Sequence, residues 1–241
     1  VQDSDVIRID ISLPRSWAEL TPAQLRLIAC EFQKPYSQEQ LLTHIFLKLT
    51  GWRIKKRQGN SYVVYRITDK LSFTCKINNI IPVIESLTWI TSGFDTLSFS
   101  PSIGKLKSPN KLLYSTSLEQ FLMAQNVFSA YSAKPDSSLL LQLVSIYWGS
   151  GAEIKPVDMY SALIWFAGVK TWLQRKYPYV FSSSGAASDP ADSILELLEV
   201  LNAGDVTKNE TILRTHVHEV LYHLNIELEK HKKTNKHVFT V

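Results

Sequence analysis

The sequence predicts a mainly α fold of α+β type, a multi-helix globular domain carrying one small antiparallel β-hairpin or three-stranded meander. Three observations predict it. Most segments of the 241 residues repeat their apolar side chains at helical spacing and begin at a capping residue. The stretch from Trp52 to Lys76 alternates instead. The stretch Pro156 to Phe181 is apolar on almost every side of a helix, which marks it as the buried centre.

In chain order, residues 13–33 open with a tight segment and then a helix. Thr21 is its N-cap, Pro22 stands in its first turn, and Leu25, Ile28, Ala29 and Phe32 share a face. A second helix starts at Ser37, with Gln40 three residues on in capping-box spacing. Its stripe is Leu41, Leu42, Ile45, Phe46 and Leu49, and Gly51 closes it. WRIKKR and YVVYRI then read as two strands around a Gly-Asn turn, with LSFTCKI as a third. Residues 78–91 read as a short helix with Pro82 in its first turn. The Ser, Pro, Gly and Lys of 93–110 read as a long connection, giving an N-terminal α+β part over 1–104 and a C-terminal helical part over 105–241, packed as one unit.

In the second part, Ser117 caps a helix whose Phe121, Ala124, Phe128 and Tyr131 share a face, and Asp136 or Ser137 caps another that ends at Gly149. The central helix begins at Pro156 and stops before Pro178, with only Lys170, Gln174, Arg175 and Lys176 expected in water. A polar loop, SSSGAASDP, precedes a helix ending at Gly204. A last helix from about Glu210 to His231 carries Leu213, Val217, Val220, Leu221, Leu224 and Leu228 in one stripe.

Composition bounds the function. A hydrophobic content of 45% supports a sizeable core. Two cysteines, Cys30 and Cys75, form no disulfide framework and point to a reducing compartment. The first residues lack the basic and apolar regions of a signal peptide, and the longest uncharged apolar span is shorter than the ~20 residues of a membrane helix. A cytoplasmic protein with no membrane partner is therefore expected.

The formal charge of +4 is uneven. From Trp52 to Lys76, seven cations oppose Asp69 alone, so this segment carries +6 and the rest of the chain −2. Strict alternation sets Trp52, Ile54 and Lys56 on one side and Arg53, Lys55 and Arg57 on the other. The candidate nucleic-acid-binding residues are Arg53, Lys55, Lys56, Arg57 and Arg66, interleaved with Trp52, Tyr62 and Tyr65. A second basic run, Lys230, Lys232, Lys233 and Lys236, reads as a solvated tail.

No phosphate-cradling glycine run and no nucleophile elbow occur. In HVHEVLYHL, a zinc-protease helix would need a second histidine where Tyr222 stands, and His216 and His223 are about 10.5 Å apart along a helix. His216, Glu219 and His223 therefore read as a solvated flank. No catalytic residue, metal ligand or cofactor is expected.

Three segments carry a resemblance: LPRSWAELTPAQL at 13–25, TSLEQFLMAQNVFSAY at 116–131 with the SLLLQLVSIYWG that follows, and ILRTHVHEVLYHLNIELE at 212–229. They resemble small helical proteins encoded among tail and assembly genes of bacterial phages and prophages, of tail-assembly-chaperone type. The resemblance covers about half of the chain and leaves out the Trp52 to Lys76 segment. It implies a non-enzymatic assembly, scaffolding or chaperone-like protein, cytoplasmic in a bacterial host, that binds another protein and needs no cofactor. Nucleic acid bound by the basic hairpin is the alternative.

Overall fold

The computed structural model describes residues 9–150, 153–181, 199, 201, 202 and 204–237, with side chains to 230. The fold is mainly helical, 59% helix, with one three-stranded antiparallel sheet among the described residues. It divides into two compact units, one ending at Gly93 and the other starting at Phe94.

In the first unit, a 3-10 turn at Trp17–Glu19 leads into helix α1 (Pro22–Phe32) and helix α2 (Gln38–Thr50). Both begin with a reciprocal capping box. The Thr21 and Ser37 hydroxyls accept from the Gln24 and Gln40 amides, and the glutamine side chains accept from the Thr21 and Ser37 amides. Gly51 ends α2 at φ 66, a left-handed conformation that glycine adopts without strain. Strands β1 (Trp52–Gln58), β2 (Ser61–Arg66) and β3 (Ser72–Lys76) follow in the order β1-β2-β3. The Trp52 ring stands edge-on between Phe46 of α2 and Phe73 of β3, at 5.2 and 4.9 Å, which fixes the sheet on the helical hairpin. The Trp17 indole packs against Trp89 and donates to the Gly93 carbonyl at 2.8 Å, tying the start of the unit to its end.

Helix α3 (Ile77–Glu85) starts directly from β3, so Pro82 lies inside it and not in its first turn as the sequence suggested. Pro82 has no N–H to give the Asn78 carbonyl, and Asn78 is exposed to solvent. Although six of the nine residues of α3 are apolar, none of its residues is buried.

In the second unit, residues 94–117 belong to the packed structure, so the division falls at 93/94 and not at 104/105. Leu97, Ile103 and Leu113 of this segment are buried. The Trp148 indole donates to the Pro101 carbonyl at 3.0 Å and the Trp165 indole to the Lys111 carbonyl at 3.2 Å. A segment outside helix and sheet thus has two of its carbonyls satisfied by core tryptophans. Helices α4 (Leu118–Ala133), α5 (Ser137–Trp148) and α6 (Pro156–Lys176) start at Ser117, Asp136 and Pro156 as the caps predicted.

Eleven residues of α6 are buried, including Trp165 and Phe166. Trp165 meets Trp148 at 5.1 Å and Phe166 meets Phe128 at 5.7 Å. Gln174, Arg175 and Lys176 are exposed as expected, but Lys170 is half-buried, with its ammonium 4.3 Å over the Phe128 ring. Burial lowers its pKa to about 8. Gly168 lies where the backbone of Asp95 and Thr96 crosses α6, leaving no room for a Cβ.

After α7 (Pro178–Phe181), the polar loop at 182–190 lies outside the described residues. Only Glu199, Leu201 and Asn202 of the helix expected before Gly204 are described, and all three are helical. The last helix is divided into α8 (Asn209–Arg214) and α9 (Val217–His237). Between them Thr215 is extended. Its carbonyl accepts from the Leu118 amide, and the Val217 amide donates to the Thr116 carbonyl, each at 2.9 Å. This bridge to the start of α4 outcompetes helical continuity. Val217, Val220, Leu221 and Leu224 are buried as the stripe predicted.

Candidate nucleic-acid interface

The β1-β2 ladder holds the main departure from the sequence reading. Register runs Gln58↔Ser61, Arg57↔Tyr62, Lys56↔Val63, then jumps to Ile54↔Val64, Arg53↔Tyr65 and Trp52↔Arg66. Lys55 is the extra residue of a β-bulge. Partners across a ladder share a face, so the bulge reverses the alternation that a regular strand would keep. Arg53 and Lys56 lie on the face of Tyr65 and Val63. Lys55 joins them, since its ammonium sits 4.8 Å over the Tyr65 ring and donates to the Ser72 hydroxyl at 3.0 Å.

β3 completes this face. With Val64↔Phe73 and Tyr62↔Cys75 on the other side, Ser72, Thr74 and Lys76 fall beside Tyr65, Val63 and Ser61. The resulting open face carries Arg53, Lys55, Lys56 and Lys76 and contains no carboxylate. All four cations are exposed, and none has an ion pair among the described residues.

The other two expected cations lie elsewhere. Arg57 shares the opposite face with Tyr62, and its Nε donates to the Gly59 carbonyl at 3.1 Å. Arg66, also on that face, grips Asp69 with both Nε and a terminal nitrogen. This pairing holds the Asp69 carboxyl below its usual range. Trp52 is 6% exposed, buried in the core, and offers no ring to a ligand. Tyr62 lies on the core-side face, which leaves Tyr65 as the aromatic ring of the open one.

Lys76 went unread because its membership depends on β3 pairing with β2. The bulge had a global signal only. A two-residue turn at Gly59-Asn60 with regular pairing would put Trp52 opposite Ile67, on the face away from Val64, so burying Trp52 and Val64 together demands one extra residue in β1.

The segment HVHEVLYHL carries three histidines, His216, His218 and His223. His216, Glu219 and His223 are exposed, as the spacing predicted. His218 is buried. Its Nε2 lies 2.6 Å from the Leu112 carbonyl, which can only accept, so Nε2 carries the proton and Nδ1 accepts from the Tyr177 hydroxyl at 2.9 Å. Burial lowers its pKa. The Leu112 carbonyl opposes that shift, and the nearby Lys176 ammonium adds to it. Tyr114 stacks on the imidazole at 4.3 Å. With both nitrogens engaged within the protein, His218 is a fastener between α9, the end of α6 and the 112–114 segment. Among the described residues no group of three His, Cys, Asp or Glu could hold a metal ion, and no helix is long and apolar enough to cross a membrane.

Compared with protein-family models, curated proteins and solved structures, the chain matches none of them. The fold and the charge geometry of the meander are therefore the basis for a functional reading.

Proposed function

We propose that this chain is a non-enzymatic binding protein that takes nucleic acid on the open face of its meander. The observation that carries this is the bulge, which gathers Arg53, Lys55 and Lys56 on one exposed face with Lys76 and leaves no acid among them. Such a face suits a run of phosphates, and binding to it releases counterions. A cytoplasmic setting goes with this reading, and the two free thiols, Cys30 and Cys75, support it.

Titration of labelled oligonucleotides by anisotropy, between low and physiological salt, tests the proposal. Four phosphate contacts give a slope of log affinity against log salt of about −3. A Lys55→Ala, Lys56→Ala, Lys76→Ala variant should bring that slope to about −1, while Arg57→Ala should leave it unchanged. Absence of binding at low salt, or a triple variant that binds like the parent, would remove the reading.

A protein partner is favoured by one separate observation, the apolar helix α3, on which Ile77, Ile80, Ile81, Val83 and Ile84 all remain at least partly exposed. The assembly, scaffolding or chaperone-like role in a phage or prophage tail, implied by the resemblance, would use such a surface. Genes for a tail tube or tape measure beside this one would support that role, and a metabolic operon would count against it.

A further inference from the structure

We infer that the open face is built for a single strand, with Tyr65 as the surface on which a base stacks and Lys55 as the cover that gives that ring up. The inference rests on the nucleic-acid reading above and deepens it.

Two geometric features select a single strand. Proteins read a duplex by inserting a helix or a two-stranded ribbon into a major groove about 12 Å wide. Here the cations lie on both outer strands of a three-stranded sheet, about 10 Å between outer strand axes before backbone and side chains are added. That surface is a platform and not a wedge. Between the cations the side chains are short, Ser61 and Val63 on the middle strand and Ser72 and Thr74 on β3, so a strand can lie on it with phosphates reaching the cations.

The second feature is the ring itself. Tyr65 belongs to the middle strand, flanked by Arg53 on β1 and Ser72 on β3, and is half-buried. Lys55 lies over it at 4.8 Å and is held otherwise by the Ser72 hydroxyl at 3.0 Å. Both contacts are made by an exposed ammonium, and a phosphate oxygen is a stronger partner than either a neutral ring or a hydroxyl. When a phosphate arrives, Lys55 moves from ring to phosphate, and the uncovered face takes the neighbouring base. One residue thus supplies a phosphate contact and opens the stacking site, which its extra place in the bulge permits.

Wild-type protein would be titrated with oligo(dT), with an abasic oligonucleotide of equal length and charge, and with a duplex of that length, alongside Tyr65→Ala, Tyr65→Phe and Lys55→Ala. The expected order is oligo(dT) tightest. The abasic strand should be weaker by about 5- to 100-fold at the same salt slope, as should Tyr65→Ala on oligo(dT), with Tyr65→Phe restoring the affinity. Lys55→Ala should flatten the slope by about 0.7 while keeping the preference for bases. If the abasic strand or the duplex binds as tightly as oligo(dT), the stacking inference is overturned and the phosphate-binding reading stands. If nothing binds at low salt, both fall. The abasic comparison uses unaltered protein, so it decides the question even if Tyr65→Ala fails to fold.

Discussion

Replacing Gly168 with alanine adds one methyl group in the middle of a buried helix, and its effect can be worked from two opposed terms. Intrinsic helix preference favours the change by about 1 kcal/mol. Against it, a Cβ at this position would overlap the Asp95 carbonyl oxygen, lie 2.7 Å from the Asp95 carbonyl carbon and 3.3 Å from the Thr96 nitrogen. Ordinary contact begins near 3.4 Å, so the 95–96 backbone must retreat by roughly 1 Å, and backbone cannot swing aside as a side-chain tip does. That retreat also pulls Asp95 from its ion pair with Arg175. Overpacking of this kind costs about 3 kcal/mol at the upper end of its usual range, which leaves a net loss of about 2 kcal/mol. Hydrogen exchange of the α6 amides across a denaturant series reads the second unit alone and should show its protection lost at lower denaturant. A Gly168→Ala protein as stable as its parent would refute the close backbone crossing.

Two further outcomes concern titratable groups in the same unit. Lys170 has a folded pKa of about 8 against an ordinary 10.5, so between those values the unfolded chain binds more protons and stability should rise with pH. Lys170→Met should flatten that rise and add about 1 kcal/mol at about pH 7, where the half-buried charge is at its costliest, as read by denaturation at about pH 7 and about pH 9.5. His218 is also held below its ordinary 6.5, so the folded state resists protonation and stability should fall as pH drops below that value. In His218→Gln this part of the acid dependence should disappear in the same denaturation series, and an unchanged pH profile would show that the Tyr177 and Leu112 contacts do not set it.

Helix starts were legible because they are local. Thr21, Ser37 and Ser117 each cap within one turn as read, and the box expected at Ser37 with Gln40 forms also at Thr21 with Gln24 and Ser117 with Gln120. The centre of the second unit was equally legible, since Trp165 and Phe166 leave no polar face to turn outward. What escaped is whatever depends on a distant partner. Thr215 leaves the helix to pair with residues 116–118, and nothing within ILRTHVHEV records that. Lys170 looked like a surface lysine until Phe128 came beneath it. His218 differs from His223 only by the side of α9 on which it falls, and His216 precedes that helix. The basic face was half legible, its charge visible in composition and its membership hidden in a register that follows from burying Trp52 with Val64.

The bulge at Lys55 has a second effect, on how copies of this chain meet. β1 is an outer strand of the sheet, and a regular outer strand offers its unpaired amides and carbonyls to any other strand that drifts past. An extra residue midway breaks that row into two short pieces out of phase with each other, and consecutive lysines repel an identical edge. The irregularity that concentrates positive charge for a ligand therefore also protects the protein from sheet-to-sheet aggregation along this edge.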